Sequence, residues 1–219
     1  MRAHLWLVVV CLVSRQLAVA AGERAPREPM GEIDAMSGDA AVVVDTLRAA
    51  DISKARVTVR VYSSTNLAAG TQRASLEVAQ ATFAAASVQI VWKVCALVAC
   101  DTPLSPTELV VRLVQLPDRA GDHHLGDALI DPEKRTGVLA TVYVNRTMRL
   151  ARELEIDHDK LLGRAIAHEI GHLLLATNTH APSGLMRELW SHDELQRARR
   201  EDWVLQPLDA AAILQRLTS

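Results

Sequence analysis

Residues 165–174 constrain the fold more than any other part of this chain. Residues four apart share one face of an α-helix, so a helix here places His168 and His172 side by side. Apolar residues recur on the same segment at helical spacing and predict the face that packs against the core: Ile166, Ile170 and Leu173. The segment therefore predicts a helix with one face for a core and another for a pair of imidazoles.

The paired imidazoles predict a zinc site. Zinc binds imidazole nitrogen well, and a catalytic zinc site has three protein ligands and one open position. Glu169 follows His168 directly and projects about 100° further round the helix, where it can act as a general base. The His-Glu-x-x-His pattern thus predicts Zn²⁺ bound by His168, His172 and a third ligand, with Glu169 as the catalytic residue.

The third ligand is expected beyond the end of this helix. We expect the helix over 157–176, with Asp157 or Asp159 as its N-cap and its end near Asn178. Asparagine tolerates the left-handed conformation that turns a chain back at a helix end. His180, two residues further on, is therefore the leading candidate for the third ligand. Two carboxylates are its rivals: Glu188 and Glu194.

Hydrophobic periodicity predicts an α/β or α+β fold in which a sheet packs against helices. Alternating or apolar runs predict strands over 56–62, 88–94, 108–116, 125–130 and 138–144. Helical spacing predicts a long helix over 70–86, a short turn over 148–154, and a polar helix over 192–203, and a last helix follows Pro207. The order is strand, helix, several strands, helix and a helical tail.

The first twenty residues are typical of a signal peptide. Arg2 precedes a short apolar run over 5–13, and Ala18 and Ala20 form the small-x-small pattern of a cleavage site. The run is too short to span a bilayer, so we expect no membrane anchor. We expect a secreted or periplasmic protein, cleaved near Ala20. Residues 21–54 would form an N-terminal arm or short pro-segment, and 55–219 the domain that carries the motif.

Composition narrows the partners and the architecture. The chain has 219 residues and a net charge of −2, and no stretch concentrates Lys or Arg on one face. This argues against nucleic acid as a partner and favours one domain, expected to be a monomer. After loss of the leader two cysteines remain, Cys95 and Cys100. In an oxidising compartment we expect them to form a disulfide that closes a short loop.

The motif region resembles the metzincin zinc metalloproteases, particularly the matrixin-like branch. The resemblance consists of His168-Glu-Ile-Gly-His172, a histidine after a short turn, and a methionine in Pro182-Ser-Gly-Leu-Met186. It implies that His168, His172 and His180 bind zinc, that Glu169 is the general base, and that Met186 forms a turn beneath the metal. It also implies a mixed five-stranded twisted sheet packed on a long helix and the active-site helix, with 123–130 as an edge strand that binds the substrate.

The resemblance predicts a secreted zinc-dependent endopeptidase that acts on peptides or proteins. The third histidine lies two residues later than in the family pattern, where this chain has Asn178. Leu189 and Trp190, after the methionine, are expected to shape the specificity pocket. Two other hypotheses stay open: a gluzincin-type hydrolase whose third ligand is Glu188 or Glu194, and an exported zinc-binding module without turnover.

Overall fold

The computed structural model describes residues 55–95, 100–117, 124–197 and 199–219. The predicted signal peptide and the arm over 21–54 lie outside the described residues. Within the described part of the chain, no helix is both long and apolar enough to cross a bilayer.

In the described residues a mixed sheet of five strands forms the framework. The strands are β1 Arg56–Ser63, β2 Gln89–Cys95, β3 Glu108–Val114, β4 Gly126–Asp131 and β5 Thr136–Tyr143. They lie in the order β2-β1-β3-β5-β4, and β4 alone is antiparallel to its neighbour. The expected five-stranded mixed sheet is confirmed, and β4 occupies one edge of it.

The described residues form five helices. They are α1 Ala69–Ala84, α2 Val144–Glu153, α3 His158–Leu175, α4 His192–Arg197 and α5 Pro207–Thr218, with a 3₁₀ turn at Arg200–Trp203. The two largest differences from the predicted boundaries are in α2 and in the tail. Helix α2 begins at Val144, directly after β5, and the helix predicted over 192–203 divides into α4 and the 3₁₀ turn.

The core lies between the sheet and the pair α1 and α3. Helix α3 contributes its predicted apolar stripe: Ile166, Ile170 and Leu173 are all buried. The two helices approach closely at Gly163, where a Cβ would lie 2.5 Å from the Ser75 carbonyl oxygen. This packing fixes α3 along the sheet, with the predicted ligand pair beside the edge strand.

A side chain of the sheet fixes the segment that follows the short cysteine loop. Cys95 and Cys100 form a disulfide with their Cα atoms 5.6 Å apart. The buried Arg60 guanidinium donates to the carbonyls of Thr102 at 2.7 Å and Pro103 at 3.0 Å, and it pairs with Glu108. A buried arginine thus fixes the segment after the disulfide against β1 and β3.

Candidate metal centre

Helix α3 is capped at both ends by local interactions. At its start the Asp157 carboxylate accepts the Lys160 N–H at 3.2 Å, as one of the two predicted N-caps requires. At its end Ala176 adopts a left-handed conformation with φ of 50°. The expectation that Asn178 forms this cap is wrong. The turn comes two residues earlier because the Thr177 N–H bonds to the His172 carbonyl at 3.3 Å, which closes the helix there.

Three histidines converge beyond this turn. One ring nitrogen from each of His168, His172 and His180 lies within 4.8 Å of the others. His168 and His172 are buried on α3, whereas His180 is exposed on the following loop. The rings of His172 and His180 stand nearly perpendicular, with centroids 4.8 Å apart. In the part of the chain that the structure describes, this is the group whose geometry can hold a metal ion.

Two backbone carbonyls orient the buried imidazoles. The Nδ1–H of His168 donates to the Leu185 carbonyl at 2.8 Å, and that of His172 to the Thr177 carbonyl at 2.8 Å. A carbonyl oxygen can only accept, so each Nδ1 carries the proton. Burial lowers the pKa of His168 to about 4 and also lowers the pKa of His172, so both rings are neutral near pH 7.

The remaining nitrogens face one another. The Nε2 atoms of His168 and His172 are 3.0 Å apart. In the neutral tautomer that the carbonyls impose, neither Nε2 carries a hydrogen. The lone pairs of the two Nε2 atoms therefore point at each other. A cation satisfies both, and tetrahedral zinc at its usual bond length separates two nitrogens by about 3.3 Å. With a third imidazole alongside, the donor set fits Zn²⁺, and the outer nitrogens are anchored as zinc-binding histidines require.

A carboxylate lies beside the histidines. Glu169 is buried on α3, next to Gly126 on the edge strand. A Cβ at Gly126 would lie 2.7 Å from the Glu169 Cγ, so glycine makes room for this side chain. Burial raises the pKa of Glu169 to about 8, and the Asp127 carboxylate adds a smaller repulsion. A nearby dication favours the ionised form and opposes this rise.

A buried methionine packs beneath the helix. Met186 is 1 % exposed, and its side chain fills the space left by Gly171, where a Cβ would overlap the Met186 Sδ. The preceding residue, Leu185, supplies the carbonyl that accepts from His168. The Leu185 N–H is in turn held by the Val204 carbonyl at 2.9 Å. Met186 therefore belongs to the segment that positions the first histidine.

Two cavities adjoin the histidine group, and they share His180. One, of about 620 Å³, extends from the histidines past Glu169 to α2 and the loop after Met186, including Leu189 and Trp190. The other, of about 790 Å³, is lined by Ile130 of β4 and residues of α5. Asn178 and His180 line both. The two cavities together follow the edge strand past the three imidazoles.

Other candidate residues have different surroundings. Glu194 pairs with Arg187 and accepts from the Ser191 N–H and hydroxyl, at 2.9 and 2.7 Å. Glu188 lines the cleft beside Glu169 but is outside the histidine group. His158 and His192 begin helices α3 and α4. The start predicted for the edge strand, His123, lies outside the described residues.

Sequence reasoning missed three features of the site. These are the glycine beside Glu169, the hydrogen bond from the Tyr143 hydroxyl to Asp127, and the pairing of Glu194 with Arg187. Each joins residues from different elements, and no local pattern in the sequence marks it. The dipeptide Gly126-Asp127 within a predicted strand is the one signal, since a strand glycine often marks a close approach.

No protein-family model matches the sequence, and no curated protein is similar to it. Among solved structures, the fold is similar to archaemetzincin from Methanopyrus kandleri, with a TM-score of 0.49 and 14 % sequence identity. The match covers 75 % of this chain and 97 % of that chain. Because similarity this low does not transfer an activity, the matrixin-like branch stays a prediction.

Proposed function

We propose that this chain is a zinc-dependent endopeptidase with His168, His172 and His180 as ligands and Glu169 as the general base. One observation carries the proposal: three imidazoles converge within 4.8 Å on the wall of a cleft that also holds a buried carboxylate. The two best-buried imidazoles are locked by carbonyls with their free nitrogens together. A core histidine pair has no need of this arrangement, whereas a metal site does.

The proposed chemistry divides between the ion and Glu169. Zinc bound at this centre supplies a Lewis acid that polarises a peptide carbonyl and makes water a stronger acid. The Glu169 carboxylate follows His168 on the helix and lines the cleft, so it can take the proton of the attacking water. The same carboxyl can then give a proton to the amine of the leaving fragment.

The shape of the cleft favours cleavage within a chain. Strand β4 is at the sheet edge, and its residues line both cavities: Gly126 and Ala128 line the cleft beside Glu169, and Ile130 lines the other cavity. An edge strand offers backbone groups with which an extended peptide can pair. Two cavities that share His180 and both follow the edge strand suit a substrate that continues past the cut in both directions, so we propose an endopeptidase.

We also propose that the protein acts outside the cytoplasm. The leader-like residues 1–20 motivate this proposal, and the Cys95–Cys100 disulfide supports it weakly, because such bonds persist in oxidising compartments. Peptide or protein substrates of that environment are the proposed partners. Detection of the mature chain in the medium or periplasm, with its first residue near position 21, would test this.

The two other hypotheses are less well supported. Glu194 is already engaged by Arg187 and Ser191, which leaves Glu188 as the carboxylate candidate for a gluzincin-type site. A zinc-binding module without turnover would not need a buried carboxylate against the edge strand. His180 completes the group without any rearrangement of these contacts, so we prefer it as the third ligand.

One pair of variants tests the proposed function. Glu169→Gln should keep zinc but lower hydrolysis of casein by about a hundredfold or more, because only the proton transfer is removed. Glu188→Gln, the same change in the same cleft, should hydrolyse casein as the parent does. Addition of a chelator should abolish the parent activity. Parent-level hydrolysis by Glu169→Gln would contradict the proposed base, and zinc loss in Glu188→Gln would favour the gluzincin-type site.

A further inference from the structure

Helix α3 presents two side chains, one turn apart, to a pair of tryptophans. Arg164 and His168 are four residues apart and so share a face. The Arg164 guanidinium lies over the Trp203 ring at 3.7 Å from its centroid. The His168 ring meets Trp190 at an interplanar angle of 88°, with centroids 5.6 Å apart. Trp190 and Trp203 contact each other in a T-shaped arrangement, with centroids 5.1 Å apart. The four side chains form a continuous chain of contacts: Arg164, Trp203, Trp190 and His168.

The same residues are linked through one carbonyl. The Leu185 carbonyl accepts from the His168 Nδ1–H at 2.8 Å and from the Trp190 Nε1–H at 3.4 Å. The Leu185 N–H donates to the carbonyl of Val204, the residue after Trp203. His168 and Trp190 therefore both bond to the Leu185 carbonyl, and Leu185 itself bonds to the residue that follows Trp203.

We propose that Trp190 is a positioning residue for the metal ligand His168, and that Trp203 and Arg164 hold Trp190 in place. Trp190 fixes the ring plane of His168 by its edge-to-face contact and fixes the ring's acceptor by sharing the Leu185 carbonyl. Outer partners of a ligating histidine orient its free nitrogen and tune its affinity for metal. This inference rests on the metal centre of the proposed function, but not on hydrolysis.

Two of these four side chains, Arg164 and Trp203, are buried and support the others. Trp203 is 5 % exposed and Arg164 is 8 % exposed, whereas Trp190 is half-buried and lines the cleft. Burial lowers the pKa of Arg164 to about 10, so the guanidinium remains charged at neutral pH. A desolvated guanidinium over a tryptophan face makes a strong cation–π contact. The buried pair Arg164–Trp203 thus forms the fixed support against which the more exposed Trp190 rests.

Zinc affinity tests this role directly. We would measure the Kd for Zn²⁺ by competition with a chromogenic chelator, using the full chain. Trp190→Leu should weaken binding by about tenfold to a hundredfold, because both the ring contact and the N–H are lost. Trp190→Phe keeps a ring and should give a smaller loss. Trp92→Phe, on β2 at the opposite edge of the sheet, is the control and should bind as the parent does.

A second measurement separates positioning from general stability. A ligand that binds only the folded state raises its stability in proportion to the logarithm of its affinity. A structural defect lowers the Tm of metal-free and zinc-loaded protein together, whereas loss of positioning also shrinks the zinc-induced rise in Tm. Arg164→Met should shrink this rise, and Arg164→Lys, which keeps the charge, should restore part of it. If Trp190→Leu does not fold, the Arg164 pair decides.

The outcomes are distinguishable from those of the proposed function. Variants that bind zinc as tightly as the parent, with an unchanged zinc-induced rise in Tm, would overturn the role of Trp190. A parent that binds zinc but does not cleave casein would overturn the peptidase while leaving this inference intact. A parent that binds no zinc would overturn both.

Discussion

Gly126 on the edge strand and Glu169 on the helix below it approach so closely that a methyl group does not fit between them. A Cβ at residue 126 would lie 2.7 Å from the Glu169 Cγ and 2.8 Å from its Oε1, and 2.8 Å from the Thr141 carbonyl oxygen. The strand that we propose pairs with the substrate is therefore in contact with the proposed base. A shift of β4 at Gly126 must therefore also move the Glu169 carboxylate.

Gly126→Ala should lower turnover more than it lowers metal binding. The added methyl must displace the Glu169 side chain, the edge strand or both, and a misplacement of about 1 Å costs about a hundredfold in rate. We expect kcat for casein to fall by about tenfold to a hundredfold, while the Kd for zinc stays within a few-fold of the parent because the histidines are untouched.

Gly70→Ala is the matched control for this substitution. Gly70 lies in the first turn of α1, and a Cβ there meets no atom within 4 Å. Alanine is the better helix former, so the control should be as stable as the parent or more so, with unchanged turnover. Equal kcat for Gly126→Ala and Gly70→Ala would show that the edge strand does not constrain Glu169.

The tight contact between Gly171 and Met186 should affect the free energy of unfolding. Gly171→Ala places a methyl against the Met186 Sδ, with the Met186 Cε 3.0 Å away. Overpacking of a core typically costs about 1–3 kcal/mol, part of which the better helix propensity of alanine offsets. We expect a lower free energy of unfolding, measured by urea denaturation of the metal-free chain.

A double-mutant cycle isolates this contact. In a Met186→Ala background the space opposite residue 171 is empty, so Gly171→Ala should cost less there than in the parent. The difference is the interaction energy between the two positions. If the two substitutions are additive, the methionine does not fill the space that the glycine leaves, and the proposed packing of the loop beneath the helix is wrong.

The sequence predicts the part of the site that one helix determines. The ligand pair and the apolar stripe opposite it follow from helical geometry, and Ile166, Ile170 and Leu173 are buried as expected. The order of elements also follows from periodicity. These features depend on neighbours within a few residues, which a single sequence displays. The five-stranded mixed sheet, which is present, is implied instead by the family resemblance of the motif region.

Features that depend on distant parts of the chain could not be predicted in this way. The contact of Gly126 with Glu169 requires β4 to lie at the edge beside α3, and the Trp190–Trp203 pair requires the tail to return to the cleft. The helix end is a smaller case. Local preference favours Asn178 for the left-handed position, yet Ala176, which is buried, takes it at a cost of about 1 kcal/mol.

Acid should destabilise the metal-free chain through carboxylates that are paired in the fold. The Ser191 hydroxyl and N–H, and then Arg187, lower the pKa of Glu194 to about 2, and Arg60 lowers the pKa of Glu108. A group whose pKa is lower in the folded state stabilises it above its unfolded pKa, and that stabilisation is lost as pH falls towards the folded pKa. For Glu194 the window runs from about pH 4.5 to 2.

Thermal melts between pH 6 and 3, in the presence of a chelator, measure this loss. The Tm should fall with pH in the parent, and less steeply in Glu194→Gln, which no longer titrates at this position. Glu201→Gln, a change at an exposed carboxylate in the 3₁₀ turn, should follow the parent curve. A parent and a Glu194→Gln variant with parallel curves would mean that the ion pair with Arg187 does not contribute to the acid dependence.

The exposed histidine of the metal group should be essential for tight zinc binding although it contributes little to folding. His180→Ala removes one of three ligand atoms that lie within 4.8 Å of each other, so zinc affinity should fall by about a hundredfold or more while the Tm of the metal-free chain changes little. His192→Ala is the control, since His192 also lines the cleft but lies outside the group.

Glu194→Ala tests the alternative in which a carboxylate is the third ligand. It should lower the metal-free Tm through loss of the Arg187 pair, yet keep zinc. The reverse result, zinc retained in His180→Ala and lost in Glu194→Ala, would require the loop after α3 to turn away from the metal and the Arg187–Glu194 pair to open.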